Sequence, residues 1–341
     1  MLKFNILKID VMQEAPTHPL PKVALSHGDL NGIAYEIMLK TFADARMFEM
    51  LTPVLYGQSK AFSYYKKNFG MDAPNYALTR DVRQLGINKF NIINIVENEL
   101  KIEPGAATEV STQMSVISMK KAFDDVFNGL ADALVMAPDS PKVAQYNQEF
   151  LLSHYKEATP LRVMVNDVMR IALATDDMPL EAALAQIDER MLVTRMATLS
   201  AALKSDFGIN APKIAVMGLN PHGVSGADDK VLKAVGEAQR KDILAFGPFS
   251  ASQLFVNGQW KKYDAVLAMY YDQGVFPLKM MTVGGSACYW AGLPVVCAAP
   301  MHGPAFDVAN QNRAVPDSYR RAVYLAVDVA RHRMEQQKRR L

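Results

Sequence analysis

Short runs rich in Val, Ile and Leu alternate along this chain with longer stretches of helical periodicity. Several of these runs lack alternation between polar and apolar residues, which favours strands covered on both faces, as in a largely parallel sheet. The succession of strand and helix predicts an α/β architecture. The predicted strands are Val23–Ser26, Pro53–Tyr56, Phe90–Ile95, Ala133–Met136, Leu161–Val165, Arg170–Ala174, Ile214–Leu219, Ala265–Tyr270 and Val295–Ala298.

Four stretches carry apolar residues at helical spacing. The third is the longest, and we expect one continuous helix there, because Pro179 suits a first helical turn and Gly208 suits a C-terminal stop. The four predicted helices are Ile33–Phe42, Val110–Phe127, Leu180–Phe207 and a last helix that begins near Asp317 and ends in a basic cluster.

Size and composition fit a globular protein. The 341 residues suggest about two domains, and 50% apolar with 21% charged residues exclude a disordered chain. The sequence contains no apolar run long enough to cross a membrane, and Met1–Met12 lacks the pattern of a signal peptide, so we expect a cytoplasmic protein. Cys288 and Cys297 are predicted to be small buried apolar residues in a reducing compartment.

Charge excludes a general nucleic-acid binder, because the formal net charge is only +2. Basic residues cluster only near the C-terminus, where cations favour the negative end of a helix dipole. We therefore predict that this cluster is a solvated helix end. It consists of Arg331, Arg333, Lys338, Arg339 and Arg340.

Two glycine-containing turns follow predicted strands, at Ser26–Gly32 and Asn220–Gly226. Backbone N–H groups converge at the start of a helix after a strand, so each turn is a candidate anion site. Neither matches a dinucleotide-binding or phosphate-loop motif. An ordinary structural turn is the alternative for both.

Polar residues follow three further strands, at Ala174–Leu180, Met269–Lys279 and His302–Asp307. Open α/β sheets bind ligands at the carboxyl edge of their strands, which makes these segments candidates for one site. Asp176 and Asp177 have a simpler alternative, namely that they cap the helix that follows.

Several of these pieces resemble the 4-hydroxythreonine-4-phosphate dehydrogenase family of vitamin B6 biosynthesis. The Asn-Pro-His and Met-Tyr-x-Asp-Gln-Gly patterns are specific, and their order and spacing hold across nearly the whole chain. Ala137-Pro138 followed by Lys142 resembles a further signature less closely. The matching pieces are Gly28–Ile33, Gly218–His222, Ala265–Gly274, Gly292–Pro294 and His302-Gly303.

The resemblance implies the fold of the isocitrate and isopropylmalate dehydrogenases, with two α/β/α domains around a central cleft in a homodimer. It places residues 1–136 and 305–341 in the first domain and residues 137–304, with most ligand motifs, in the second. The implied reaction is oxidation of 4-phosphooxy-threonine, a small phosphorylated hydroxy-amino acid, followed by loss of carbon dioxide. NAD or NADP takes the hydride, and a divalent metal assists.

The family binds its metal with three histidines, and the resemblance places Asp177, His222 and Tyr271 at those positions. Only His222 keeps an imidazole. Oxygen ligands at the other two positions favour Mg²⁺ or Mn²⁺ over Zn²⁺. Loss of the metal site is the alternative, with Asp177 as a helix cap and Tyr271 as a packed aromatic residue.

The resemblance also implies catalytic roles for Lys279 and Asp272, substrate binding by His154 and Lys279, and cofactor binding by His302 and Gly303. Two substitutions concern the substrate: Cys288 replaces a family asparagine, and Cys297 replaces an arginine that binds it. The segment Ala309–Asn312 lacks the glycines that the family uses near the adenosine.

Three hypotheses follow from this mixture of kept and changed residues. The first is an active dehydrogenase of the family. The second is a catalytically impaired relative that binds a ligand or partner, and the third is a dehydrogenase of a different hydroxy-acid phosphate. Convergence of Asp177, His222 and Tyr271 on one point would favour the first.

Overall fold

The computed structural model describes residues 20–71, 74–98, 100–221 and 226–340. Within these ranges the strands are β1 Lys22–Ser26, β2 Thr52–Gly57, β3 Tyr76–Thr79, β4 Phe90–Asn94, β5 Ala133–Val135, β6 Leu161–Val165, β7 Arg170–Leu173, β8 Lys213–Met217, β9 Leu244–Phe249, β10 Ala265–Ala268, β11 Ala287–Ala291 and β12 Val296–Pro300. The α-helices are α1 Ala34–Phe42, α2 Ser59–Asn68, α3 Glu109–Phe127, α4 Pro141–Ser153, α5 Leu180–Gln186, α6 Glu189–Ser205, α7 Gly226–Arg240, α8 Ala251–Phe255, α9 Tyr271–Met280 and α10 Asp317–Arg340.

The twelve described strands form one sheet in the order β3-β4-β2-β1-β5-β12-β11-β6-β7-β10-β8-β9. Most neighbours are parallel, but β11 runs antiparallel to β12 and β6, and β6 runs antiparallel to β7. Adjacent residues of β1 pack on opposite faces, since Val23 and Ala24 belong to different parts of the core. A sheet buried on both faces between helices confirms the predicted α/β class.

The chain fills one half of the sheet with β1 to β5, crosses to build β6 to β11, and returns with β12 beside β5. Helix α10 then packs against β12, β11 and β5. The half of the sheet that contains β1 to β5 is therefore completed by a second, separate part of the sequence, which begins with β12. The division at residues 136/137 and 304/305 stays a prediction.

The prediction of one helix over Leu180–Phe207 is wrong. Ile187 has an extended backbone with ψ 109°, and Asp188 is extended as well, so α5 and α6 are separate helices. The Asp188 carboxylate accepts a hydrogen bond of 2.7 Å from the backbone N–H of Met191. This side chain starts a new helix in the middle of an apolar stripe that is continuous in sequence.

Part of the basic cluster is built into the protein. Arg333 Nε donates to Asp206 Oδ1 at 2.8 Å, and Arg333 Nη2 donates to the Tyr289 hydroxyl at 2.8 Å. Arg331 Nη2 donates to the carbonyl of Met50 at 2.8 Å. The prediction of a solvated helix end is wrong for these two arginines, which fasten α10 to α6, β11 and the segment before β2.

Two further predictions concern burial and membranes. Cys288 and Cys297 are both buried and unbridged, as predicted. Among the described residues, none of the helices combines the length and the apolar character needed to span a bilayer.

Candidate active site

A cavity of about 760 Å³ opens beside the middle of the sheet. Its wall takes polar side chains from five segments: Asp139 follows β5, Arg162 lies on β6, Asp177 follows β7, Lys279 lies on α9 and His302 follows β12. A second cavity of about 610 Å³ lies between α6 and α10, away from every described residue with a predicted site role. The first cavity is therefore the candidate active site.

The structure brings five of the predicted site residues together. Asp177, Tyr271, Lys279, His302 and Gly303 all line this cavity, although they come from three separate stretches of sequence. The cavity lies over the face of the sheet that carries Arg162, Cys288 and Trp290. Because β12 runs antiparallel to β7 and β10, the segments after β7 and β10 reach the cavity from one edge of the sheet and the segment after β12 reaches it from the other.

The other three predicted site residues lie elsewhere or outside the description. Asp272 is exposed on the first turn of α9, beside Tyr271, and does not line the cavity. His154 ends α4, where its Nδ1 lies 2.9 Å from the Phe150 carbonyl and its ring packs on Phe123. His222 lies outside the described residues. The assigned roles of these three residues stay predictions.

Asp177 and Tyr271 present two oxygen donors to the cavity, which is the chemistry that a hard divalent cation prefers. Burial, and then the Asp177 carboxylate, raise the pKa of the Tyr271 phenol, whereas Arg162 lowers it. The phenol is therefore protonated near neutral pH and must release a proton to become a strong ligand. Within the described ranges no group of three His, Cys, Asp or Glu side chains could hold a metal ion.

Asp176 is engaged with Arg162, and neither Asp176 nor Asp177 caps a helix. Arg162 Nη1 donates to Asp176 Oδ1 at 2.5 Å, and Gln148 Nε2 donates to Asp176 Oδ2 at 2.6 Å. The residue that precedes α5 is Pro179, which offers no side-chain cap. The capping interpretation is therefore wrong. Sequence reasoning missed Arg162, and the available signal was a charged residue inside the otherwise apolar strand Leu161–Val165.

Arg162 shares a row of the sheet with Trp290 and Cys297. Arg162 lies directly opposite Trp290 in the β6–β11 pair. In the antiparallel β11–β12 pair, Cys288 lies opposite Ala299. Two residues further along β11 is Trp290, and two residues back along β12 is Cys297, so these two residues also lie opposite each other and on the same face of the sheet. The arginine that the family resemblance expected at position 297 is thus replaced by a buried thiol, while a guanidinium stands two strands away.

His302 is held as a neutral imidazole. Burial lowers its pKa, a hydrogen bond with the Gly303 carbonyl raises it, and the charge of Lys279 lowers it further. Its Nδ1 lies 3.0 Å from that carbonyl, which can only accept, so Nδ1 carries the hydrogen. Nε2 is then an acceptor, and it is buried without a partner.

Asp139 is a second cavity residue that sequence reasoning missed. Burial raises the pKa of this carboxyl to about 7, the Ser115 hydroxyl lowers it, and the charge of Asp29 raises it. Ser115 Oγ donates to Asp139 Oδ1 at 2.5 Å, and Asn147 Nδ2 donates to Asp139 Oδ2 at 3.2 Å. A carboxyl that titrates near neutral pH can take or release a proton at this wall.

The turn Ser26–Gly32 is a structural junction. The N–H groups of Asp29 and Ile33 donate to the carbonyls of Pro138 and Pro304, so they are not available to an anion. Gly28 has φ +65°, and a Cβ atom there would lie 2.6 Å from the Pro138 oxygen, which requires glycine. The turn therefore fixes the segments after β5 and β12 relative to each other.

The loop after His302 contains two asparagines with a left-handed backbone conformation. Asn310 and Asn312 have φ of 61° and 56°, in the left-handed region that asparagine tolerates best among residues with a side chain. Lys40 Nζ donates to the carbonyls of Asn312 and Ala314 at 3.1 and 2.8 Å. At these two positions asparagine therefore adopts the left-handed backbone conformation that glycine adopts most readily.

Two residues of the Tyr-Asp-Gln-Gly segment have structural roles. Gln273 accepts from the Met269 N–H at 2.7 Å and donates to the Gly218 carbonyl at 2.8 Å, so it joins the ends of β10 and β8. A Cβ atom on Gly274 would come within 2.9 Å of Ile171 and Leu173. Both residues allow α9 to start directly after β10, which places Tyr271 and Lys279 at the cavity.

A mixed sheet with helices on both faces and a polar cavity beside its strand ends is the architecture of an α/β enzyme. Residues 49–326 match the family model of the pyridoxal phosphate biosynthetic protein PdxA, and the chain belongs to this family. The resemblance identified from the sequence is thereby confirmed.

Relatives extend over almost the whole chain. A 4-hydroxythreonine-4-phosphate dehydrogenase of Bacteroides thetaiotaomicron is 32% identical over 94% of this chain and 92% of its own. The "Putative D-threonate 4-phosphate dehydrogenase" of Cutibacterium acnes is 29% identical over 91% of this chain and 94% of its own. The crystal structure of a 4-hydroxythreonine-4-phosphate dehydrogenase from Burkholderia phymatum shares the fold, with a TM-score of 0.75 and 23% identity over 92% of this chain and 99% of that one. These relatives are named as dehydrogenases, so the family is one of oxidoreductases.

Proposed function

We propose that this protein oxidises 4-phosphooxy-threonine with NAD, assisted by a divalent metal, and that the β-keto acid formed then loses carbon dioxide. The observation that carries the proposal is the convergence of Asp177, Tyr271, Lys279 and His302 on one cavity in a chain of the PdxA family. Relatives such as that of Bacteroides thetaiotaomicron, named for this substrate, support the choice.

Charged and neutral side chains of the cavity have different proposed roles. Lys279 supplies the cation that binds the substrate phosphate. The unpartnered Nε2 of neutral His302 accepts a hydrogen bond from a hydroxyl or amide of the cofactor, next to Gly303. Asp272, at the start of α9, is proposed as a further catalytic group. When bound, a nicotinamide would supply the acceptor for the hydride that leaves the carbon bearing the oxidised hydroxyl.

The proposed metal ligands are Asp177, Tyr271 and His222. The two described members fit a hard cation, because both offer oxygen to the same cavity. When bound, Mg²⁺ or Mn²⁺ would polarise the substrate oxygen. The protonated phenol of Tyr271 makes this binding dependent on pH, since the ligand must lose its proton first.

A second candidate function is oxidation of a different hydroxy-acid phosphate. The Cutibacterium acnes relative, whose name specifies a threonate rather than a threonine skeleton, favours it, as does the thiol of Cys297 where the family resemblance expects arginine. The hypothesis of an impaired relative that binds a ligand or partner is favoured by the protonated phenol of Tyr271. A homodimer in the cytoplasm remains part of the proposal.

The test follows formation of reduced nicotinamide from 4-phosphooxy-threonine, with NAD and NADP and with Mg²⁺, Mn²⁺ and Zn²⁺ in separate reactions. We expect turnover with NAD that depends on Mg²⁺ or Mn²⁺ and is abolished by a chelator. Absence of turnover under every condition, with the substrate still bound in calorimetry, would favour the impaired relative.

A further inference from the structure

Arg162 and Asp176 form a fixed pair of opposite charges in the cavity wall. The 2.5 Å contact between Arg162 Nη1 and Asp176 Oδ1 is braced by Gln148, whose amide donates to the other Asp176 oxygen at 2.6 Å. The side chains of Arg162 and Asp176 are 17% and 36% exposed, so both are held by the protein yet reached from the cavity. Neither charge has to be ordered when a ligand arrives.

Both members of the pair keep hydrogen-bonding capacity. Arg162 has five donors, and its buried Nε has no acceptor, nor has the buried Nε1 of the neighbouring Trp290. The Asp176 carboxylate has about four lone-pair positions, of which three receive hydrogen bonds, from Arg162, Gln148 and the Asp177 N–H. The cavity wall therefore offers unused hydrogen-bond donors on Arg162 and Trp290, beside an Asp176 carboxylate that can accept one more hydrogen bond.

The charges around the pair decide which ligand group fits. A lone anion at Arg162 would also face Asp176, and Asp177 and Glu149 add two more carboxylates to the same cavity. A lone cation at Asp176 would face the guanidinium. A group that carries both charges on one carbon matches both members, because its ammonium meets the carboxylate while its carboxylate meets the guanidinium. Lys279 is the separate cation that remains for a phosphate.

We propose that Arg162 and Asp176 together bind the zwitterionic α-amino acid end of the substrate, and that Asp176 makes the enzyme select a 2-amino acid over its 2-hydroxy analogue. The inference rests on the proposed function, because it assumes a phosphorylated four-carbon acid in this cavity. A site that hydrogen-bonds a charged amino group rejects an analogue without it, since Asp176 would then be left facing a neutral hydroxyl. Arg162 binds the carboxylate that both ligands carry, whereas Asp176 binds the ammonium that only the amino acid carries.

The experiment compares 4-phosphooxy-threonine with threonate 4-phosphate by calorimetric titration of the full chain and by turnover with NAD. We expect the amino acid to bind about tenfold or more tightly. Asp176→Asn should remove most of this preference by weakening the amino acid alone. Arg162→Lys should weaken both ligands, because a point charge replaces a planar fork. Asp124→Asn, which makes the same chemical change at an exposed position of α3 outside the cavity, is the matched control and should leave the preference unchanged.

The outcomes distinguish failure of the proposed reaction from failure of the proposed amino-acid selectivity. Preferential binding of the amino acid without turnover would contradict the proposed reaction and support this inference. Turnover with equal binding of both ligands by the wild-type protein, or an unchanged preference in Asp176→Asn, would overturn the inference alone. The wild-type comparison needs no variant, so it stands even if Asp176→Asn folds poorly, and failure of both ligands to bind would overturn both proposals.

Discussion

Ser115 Oγ on α3 donates a hydrogen bond of 2.5 Å to Asp139 Oδ1 in the wall of the cavity. Asp139 is 7% exposed, and the nearby Asp29 carboxylate adds a like charge, so the protonated form is favoured. The Ser115 contact favours the ionised carboxylate and therefore opposes the effect of burial on the pKa of Asp139, a cavity residue that the sequence motifs did not mark.

Asp139→Asn should make folding stability less dependent on pH. The pKa of this carboxyl is raised from 3.8 to about 7, so between these values the folded protein keeps a proton that the unfolded chain has released. Stability from this group is therefore present below pH 3.8 and is lost as pH rises through 7. Urea unfolding of wild type and variant at several pH values measures the difference. Ser115→Ala should raise the pKa of Asp139 further; an unchanged or lower value would contradict this account.

His27 should contribute to acid denaturation. Burial lowers the pKa of this imidazole from 6.5 to about 4, although the Met114 carbonyl raises it, so the unfolded chain binds a proton first as pH falls. The protein should lose up to roughly 3 kcal/mol from this residue between pH 6.5 and 4. His27→Phe, which keeps ring packing against Tyr35, should flatten that part of the stability curve. An equally steep loss in the variant would contradict the assignment.

The start of α6 should depend on one side chain. Asp188→Ala should lower the free energy of unfolding by about 1 kcal/mol, because the N–H of Met191 loses its capping acceptor. Asp188→Asn keeps an oxygen acceptor and is the control that should stay close to wild type. Chemical denaturation checks both variants, and equal losses would indicate that the charge, not the cap, matters.

Tyr271→His should move the metal preference toward Zn²⁺, because an imidazole is a softer ligand than a phenol and is neutral at physiological pH. In the wild type, metal affinity should rise with pH, since the pKa of the Tyr271 phenol is raised and metal binding must release its proton. Metal titrations at two pH values measure both effects. Tyr271→Phe keeps the ring without the oxygen; if its metal affinity equals that of wild type, Tyr271 is not a ligand.

Lys279→Met should change two quantities, the affinity for the phosphorylated substrate and the pKa of His302. Loss of the ammonium should weaken binding of the phosphorylated substrate by about tenfold or more. It should also raise the pKa of His302, because Lys279 now lowers it. Proton NMR of the imidazole reports the second effect independently of activity. Lys233→Met, on the exposed side of α7, is the control, and a His302 pKa that does not rise in Lys279→Met would contradict the placement of the two charges.

Most strands inside the sheet could be read from the sequence, but the inner strand β11 and the two edge strands could not. The apolar run at Val23–Ser26 reports burial on both faces, which the structure shows for β1. The strands β3 and β9 escape the same reasoning because they form the two edges of the sheet, where fewer side chains are buried. β9 also contains the dipeptide Gly247-Pro248, and glycine followed by proline is more typical of a turn than of a strand.

The sequence by itself determined the α/β class, the family and the segments that supply the cavity, because burial patterns and motif spacing are local properties of the chain. The tertiary structure decided which charges meet. Arg162 lies beside Asp176 because β6 runs antiparallel to β7, and beside Trp290 because β11 is inserted on its other side. Strand order brings these residues from distant positions into one wall, and periodicity carries no information about that order. The same holds for Asp139, whose pKa depends on its burial and on a hydrogen bond from Ser115, a residue of the separate helix α3.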